Sequence, residues 1–184
     1  GTMNPEEGDL RPQLLDRFGL SVEIHGIPSA RERITIMERN LAFEADAMGF
    51  REEFLPKEVE LSRQIVKARG MVDQVQYTSR NLLSIASLTA SLNVEGHRSD
   101  LVILKAARAH AAFEGRAQIT DRDIALAAEL ALPHRIRRGP FHQGEMTPEQ
   151  LMERIEQLKG QSSAEHQSEQ NPEPTEESMT KKKH

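Results

Sequence analysis

Residues 99–115, SDLVILKAARAHAAFEG, decide the fold of this chain. Leu101, Val102, Ile103 and Leu104 form a continuous apolar run, and alanines follow at 106, 107, 109, 111 and 112. A helix with apolar residues on most sides has no face to give to water. Small side chains let its neighbours approach closely, so the stretch predicts the centre of a helical bundle. Gly115 is its expected stop, because glycine enters the left-handed region without strain.

Helical signals continue on both sides. Downstream, TDRD (120–123) is a capping sequence for a helix running to about Leu132, which Pro133 ends. Thr147-Pro148 opens a last helix, expected to reach about Lys159. Upstream, YTSRNLLSIASLTASLN (77–93) carries Leu82, Leu83, Ile85, Ala86 and Leu88 at helical spacing. SARE (29–32) is a capping box for a helix that carries Ile34, Met37, Leu41 and Phe43 to about Phe50. Pro56 is expected to open the next helix, with Val59, Ile65 and Val66.

The first residues follow a different pattern. Pro12 suits the first position of a short helix, with Leu14, Leu15 and Phe18 facing inward and Gly19 as its end. In SVEIHGI (21–27), Val22 and Ile24 alternate with Glu23 and His25, which predicts a short strand. No second strand is evident, so its partner is expected to lie outside the chain. After Gly160 the sequence QSSAEHQSEQNPEPTEESMT almost lacks apolar residues and ends in KKKH. That composition cannot offset chain entropy and predicts a disordered acidic linker over 161–184.

Composition narrows the chemistry. The chain has 184 residues, of which 37% are apolar and 29% charged, enough for one domain and a tail. With no cysteine, it cannot form disulfides, thiolate metal sites or a cysteine nucleophile. The seven histidines show no ligand spacing, so no metal site is expected. A net charge of -5 argues against general nucleic-acid affinity. No apolar run reaches membrane-spanning length and no signal-peptide pattern opens the chain, so a cytoplasmic location without membrane partners is the expectation. PHRIRRGPF (133–141) is basic but has no interleaved aromatic residues, and reads as a solvated or subunit-contacting face.

Three polar residues invite a functional reading. On the residues alone, Asn4 is an Asn-Pro turn residue, Arg17 a helix-end cation and Arg98 a solvated residue before a helix. Yet MNPEEGDLRPQLLDRFG (3–19), LNVEGHRSDLVILKAARAHAAFEGR (92–116) and ITDRDIALAAELALPHRIRRGPF (119–141) together resemble the AAA+ ATPase subunits of magnesium chelatase. The likeness covers roughly residues 3–141. It implies a mainly α protein: an AAA+ C-terminal helical lid bundle, preceded by the last strand and sensor segment of a truncated α/β ATPase core. The implied divisions are 1–27 for the end of the core, 28–160 for the lid and 161–184 for the linker.

The resemblance also implies residue roles. Asn4 would be sensor 1, beside the γ-phosphate of ATP. Arg17 would be the arginine finger, presented to the ATP of the neighbouring subunit, with Arg11 on the same segment as second choice. Arg98 would be sensor 2, reaching the nucleotide phosphates. His97 departs from the family, which has a small or apolar residue there. These roles suit phosphoryl transfer, where a neutral amide holds a water and arginines stabilise developing charge.

No G-x-x-x-x-G-K-S/T sequence is present, so this chain alone is expected neither to bind nor to hydrolyse ATP. ATP and Mg2+ would be cofactors of a longer protein whose C-terminal part this is. The implied function is the motor that drives Mg2+ insertion into protoporphyrin IX in chlorophyll biosynthesis. The implied partners are other AAA+ chelatase subunits in a hexameric ring and a large porphyrin-binding subunit. EQNPEPTEES (169–178) favours the D-type or a fused subunit over the I-type. A MoxR-type AAA+ chaperone for metal loading and a non-enzymatic helical adaptor are the alternatives.

Overall fold

The computed structural model describes residues 1–2, 11, 14, 17–94, 97–136 and 147–169, with side chains through 160. Six helices make up the described chain: α1 (Ala30–Ala45), α2 (Ala47–Met71), α3 (Ser79–Ser91), α4 (Arg98–Phe113), α5 (Asp121–Ala131) and α6 (Pro148–Glu169). A single 3-10 turn, Val72–Gln74, follows α2.

The bundle is built around α4, as its composition demands. Ile103, Ala107 and Ala111 lie one turn apart and are fully buried. They face Ile124, Ala125 and Ala128 of α5, the helix against which α4 packs most extensively. Alanine on both sides removes the side-chain layer that normally separates helices, so the two backbones come close. Ile85 and Leu88 of α3 and Leu151 and Ile155 of α6 complete the core. Gly115 ends α4 with φ of 71°, as expected of a C-terminal glycine.

Local capping fixes the remaining starts. Ser29 Oγ accepts from Glu32 N at 3.4 Å and opens α1. Thr78 and Asn81 form a reciprocal capping box at α3, and Thr120 and Asp123 form another at α5. Arg108 of α4 donates to the carbonyls of Val72, Asp73 and Val75, placing a cation on the C-terminal end of α2 and its 3-10 turn. Among the described residues, β pairing is limited to one parallel bridge between Gln76 and Gln118.

Asp123 is the most heavily bonded polar group in the bundle. Its side chain is fully buried. It accepts a two-pronged bond from Arg116 at 2.7 and 2.5 Å, and pairs with His110 Nδ1 at 2.5 Å. The amide and hydroxyl of Thr120 donate to it at 2.7 and 2.8 Å. Burial pushes its pKa up, but Arg116, His110 and Thr120 outweigh that and hold it well below the usual carboxylate range.

Several expectations need correction. Residues 21–27 form no strand; the alternation of Val22 and Ile24 finds no ladder, and both side chains are exposed. Without a neighbouring strand, two-residue periodicity has nothing to pair with. Leu14 and Phe18 are 47% and 44% exposed rather than inward-facing, while Pro12 and Leu15 lie outside the described residues. The first long helix does not reach Phe50. It stops at Ala45, because Asp46 leaves helical geometry and caps α2 by accepting from Gly49 N at 2.9 Å. A Cβ at position 49 would fall 2.3 Å from the Asp46 carboxylate, so any other residue there would make that carboxylate shift. Pro56 consequently sits inside α2 and does not open it. The last helix continues through Glu169, past the expected end near Lys159 and into the span read as linker. Residues 170–184 lie outside the described part.

The α1–α2 pair contributes little to the core. None of the side chains of α1 is buried, and in α2 only Ala68 is. At the α1–α2 junction Phe43 meets Phe50 edge-on, and Phe50 packs at a tilt against Phe54. No helix among the described residues is long and apolar enough to cross a membrane.

Candidate nucleotide-sensing site

The site residues come from three separate parts of the sequence. Arg17 ends a tight helical turn in which Leu14 N bonds Arg11 O at 2.8 Å and Arg17 N bonds Leu14 O at 3.0 Å. Its side chain is exposed. Arg98 is the first residue of α4, where unpaired backbone amides already favour an anion. It too is exposed, and its Nη2 donates to the carbonyl of Arg17 at 3.4 Å, across 81 residues of sequence. Two exposed cations and a helix N-terminus therefore share one edge of the bundle. The combination suits a polyanion such as a nucleotide phosphate chain.

Beside them lies the end of α5. Arg135 Nη2 donates to Phe18 O at 2.5 Å, and its Nη1 donates to Gly19 O at 3.0 Å and to Ala131 O at 2.5 Å. His134 Nε2 donates to the same Phe18 carbonyl at 3.0 Å. Ser21 N adds a backbone bond to Leu130 O at 2.8 Å. The carbonyls of residues 17, 18 and 19 are thus each held by a side chain of the bundle.

The structure brings Arg17 and Arg98 together. Asn4 lies outside the described residues, as do Arg137 and Arg138. Arg11 is described and exposed, and its carbonyl serves the turn that positions Arg17. His97 is almost wholly exposed and lies 3.7 Å from Asp100, directed at its own helix terminus. The sequence reads PHRIRRGPF as a solvated or subunit-contacting face and gives no sign that His134 and Arg135 bind a backbone within the chain. Among the described residues no cluster of His, Asp and Glu could hold a metal ion.

Residues 82–155, which run from α3 through α4 and α5 into α6, match the AAA lid domain family. Relatives extend the match. A magnesium-chelatase subunit ChlI homolog of Methanocaldococcus jannaschii is 38% identical over 162 residues, 88% of this chain and 44% of that protein. The magnesium-chelatase 38 kDa subunit of Rhodobacter capsulatus is 40% identical over 147 residues, 80% of this chain and 42% of that one. An uncharacterized protein of Mycobacterium tuberculosis is 45% identical over 155 residues, 84% of this chain and 25% of that one. The chain is an AAA+ C-terminal region of the magnesium-chelatase type. It spans less than half the length of these relatives.

Proposed function

We propose that this region supplies the nucleotide-sensing and subunit-contacting part of an ATPase motor that drives Mg2+ insertion into protoporphyrin IX. In this reading Arg17 is the arginine finger and Arg98 is sensor 2. Asn4 is assigned sensor 1 by resemblance. ATP and Mg2+ would be bound largely by a core carrying the phosphate loop. The ring partners would be further AAA+ chelatase subunits, and a separate large subunit would handle the porphyrin.

The observation that carries the reading is the bond from Arg98 to the backbone of Arg17. The Arg98 guanidinium lies against the Arg17 backbone, so both arginines are presented from the same edge of the bundle. Developing negative charge on a transferred phosphoryl group is stabilised by such a pair without any covalent step on the protein. If Arg17 serves the ATP of a neighbouring subunit, Arg98 accompanies it. Orientation of the lid then enters the rate of hydrolysis next door.

The test uses the full-length assembly. Arg17→Ala should leave nucleotide binding nearly intact and lower hydrolysis about 10³-fold or more, the range typical of an arginine finger. Mixing these subunits with subunits lacking the phosphate-loop lysine should restore part of the activity. Some interfaces then pair an intact finger with an intact pocket. Mixed rings that form yet stay as inactive as either parent would refute a trans-acting Arg17.

A further inference from the structure

We propose that Arg135, assisted by His134, is a positioning device for the Arg17 finger. The proposal rests on the assignment of Arg17 made above. His134 and Arg135, which follow the end of α5, face inward onto a backbone. Arg135 spans Phe18 O and Gly19 O with its two terminal nitrogens, at 2.5 and 3.0 Å, and ties both to Ala131 O of α5 at 2.5 Å. His134 Nε2 adds a second donor to Phe18 O. These residues are 116 to 117 positions apart in sequence, so the contact joins two distant segments.

The geometry explains what the clamp accomplishes. Phe18 and Gly19 directly follow Arg17 and are themselves poorly buried, with Phe18 44% exposed. Side-chain packing therefore does little to hold the segment. Charge-assisted bonds to consecutive carbonyls fix its path instead, and the forked guanidinium suits two acceptors where an ammonium suits one. The Arg98 bond to Arg17 O secures the residue in front of them. Cations from α4 and from the end of α5 thereby hold three successive peptide carbonyls, leaving the Arg17 side chain free to project. A shift of the bundle carries the finger with it.

The experiment is a double-mutant cycle in the full-length ATPase, with hydrolysis followed under single-turnover conditions so that slow residual rates can be measured. Arg135→Gln should lower the rate constant about 10- to 100-fold, the cost of misplacing a reacting group by about 1 Å, while nucleotide affinity stays within about twofold. In the Arg17→Ala background the same substitution should cost nothing further, because it acts through a finger no longer present. Losses that multiply, or an Arg135→Gln protein as active as wild type, would overturn the clamp while leaving Arg17 as the finger. An Arg17→Ala protein with unchanged rate would instead defeat the finger assignment. Arg135→Lys, which keeps the charge but not the fork, covers the case of a Gln variant that unfolds. It should show a smaller loss and the same absence of additivity, and losses that multiply there would equally overturn the clamp.

Discussion

Replacing Asp123 by alanine should be among the most damaging single changes to the bundle. The carboxylate is fully buried and holds the Arg116 fork, His110 and both donors of Thr120. Removing one partner of a buried ion pair costs about 3–5 kcal/mol. Arg116 is 37% exposed and can turn to water, which places the loss at the lower end of that range. The reciprocal cap of α5 is lost too, worth about 1 kcal/mol, and the two contributions overlap. The expected total is about 3 to 4 kcal/mol. Asp123→Asn keeps an acceptor for Thr120 but loses the charge, and should cost about 1–2 kcal/mol. Urea unfolding followed by far-UV circular dichroism measures both, with an unchanged slope showing that only stability has moved. The pH dependence follows from the same contacts. Asp123 is held below its unfolded pKa, so its contribution is complete above about pH 5 and is lost as pH falls below about 4 towards the folded value. The asparagine variant should lack that part of the acid sensitivity. An Asp123→Ala loss below about 1 kcal/mol would refute the reasoning, since the group would then not be an essential buried partner.

Two further substitutions probe the bundle itself. Gly115→Ala should destabilise by about 1 kcal/mol in the same assay, because φ is 71° and no atom lies near the added Cβ, leaving conformational strain as the only cost. Ala128→Leu places a larger side chain at a fully buried position of the α4–α5 contact and should cost about 1–3 kcal/mol, with a matching drop in thermal midpoint.

What the sequence discloses here is what short-range chemistry controls. Ser29, Thr120 and Gly115 act within their own turn, and each does in the structure what its neighbours predict. Pro56 misleads because proline marks a helix start only when no stronger start lies nearby, and Asp46 with Gly49 supplies one ten residues earlier. Val22 and Ile24 mislead because alternation specifies a strand only in the presence of a partner. At the site, Arg17 and Arg98 are singled out by family resemblance alone. Their proximity is not legible in the sequence, since nothing local relates residues 81 positions apart. Arg135 escaped for the same reason: a guanidinium that binds main-chain carbonyls leaves no complementary side chain in the sequence to betray it.

The length of α2 has a mechanical consequence. Its 25 residues extend about 37 Å at the ordinary helical rise. Among the described residues, what fastens it to the bundle lies at the far end: the burial of Ala68, Gln64 reaching Phe113 O, and Arg108 gripping the carbonyls beyond Met71. A rod pinned at one end magnifies rotation, so a tilt of about 10° at Gln64, about 26 Å from the Ala47 tip, sweeps that tip through about 4 Å. The cluster of Phe43, Phe50 and Phe54 sits at that tip. Small angular changes in the bundle therefore arrive there as displacements about the width of a side chain.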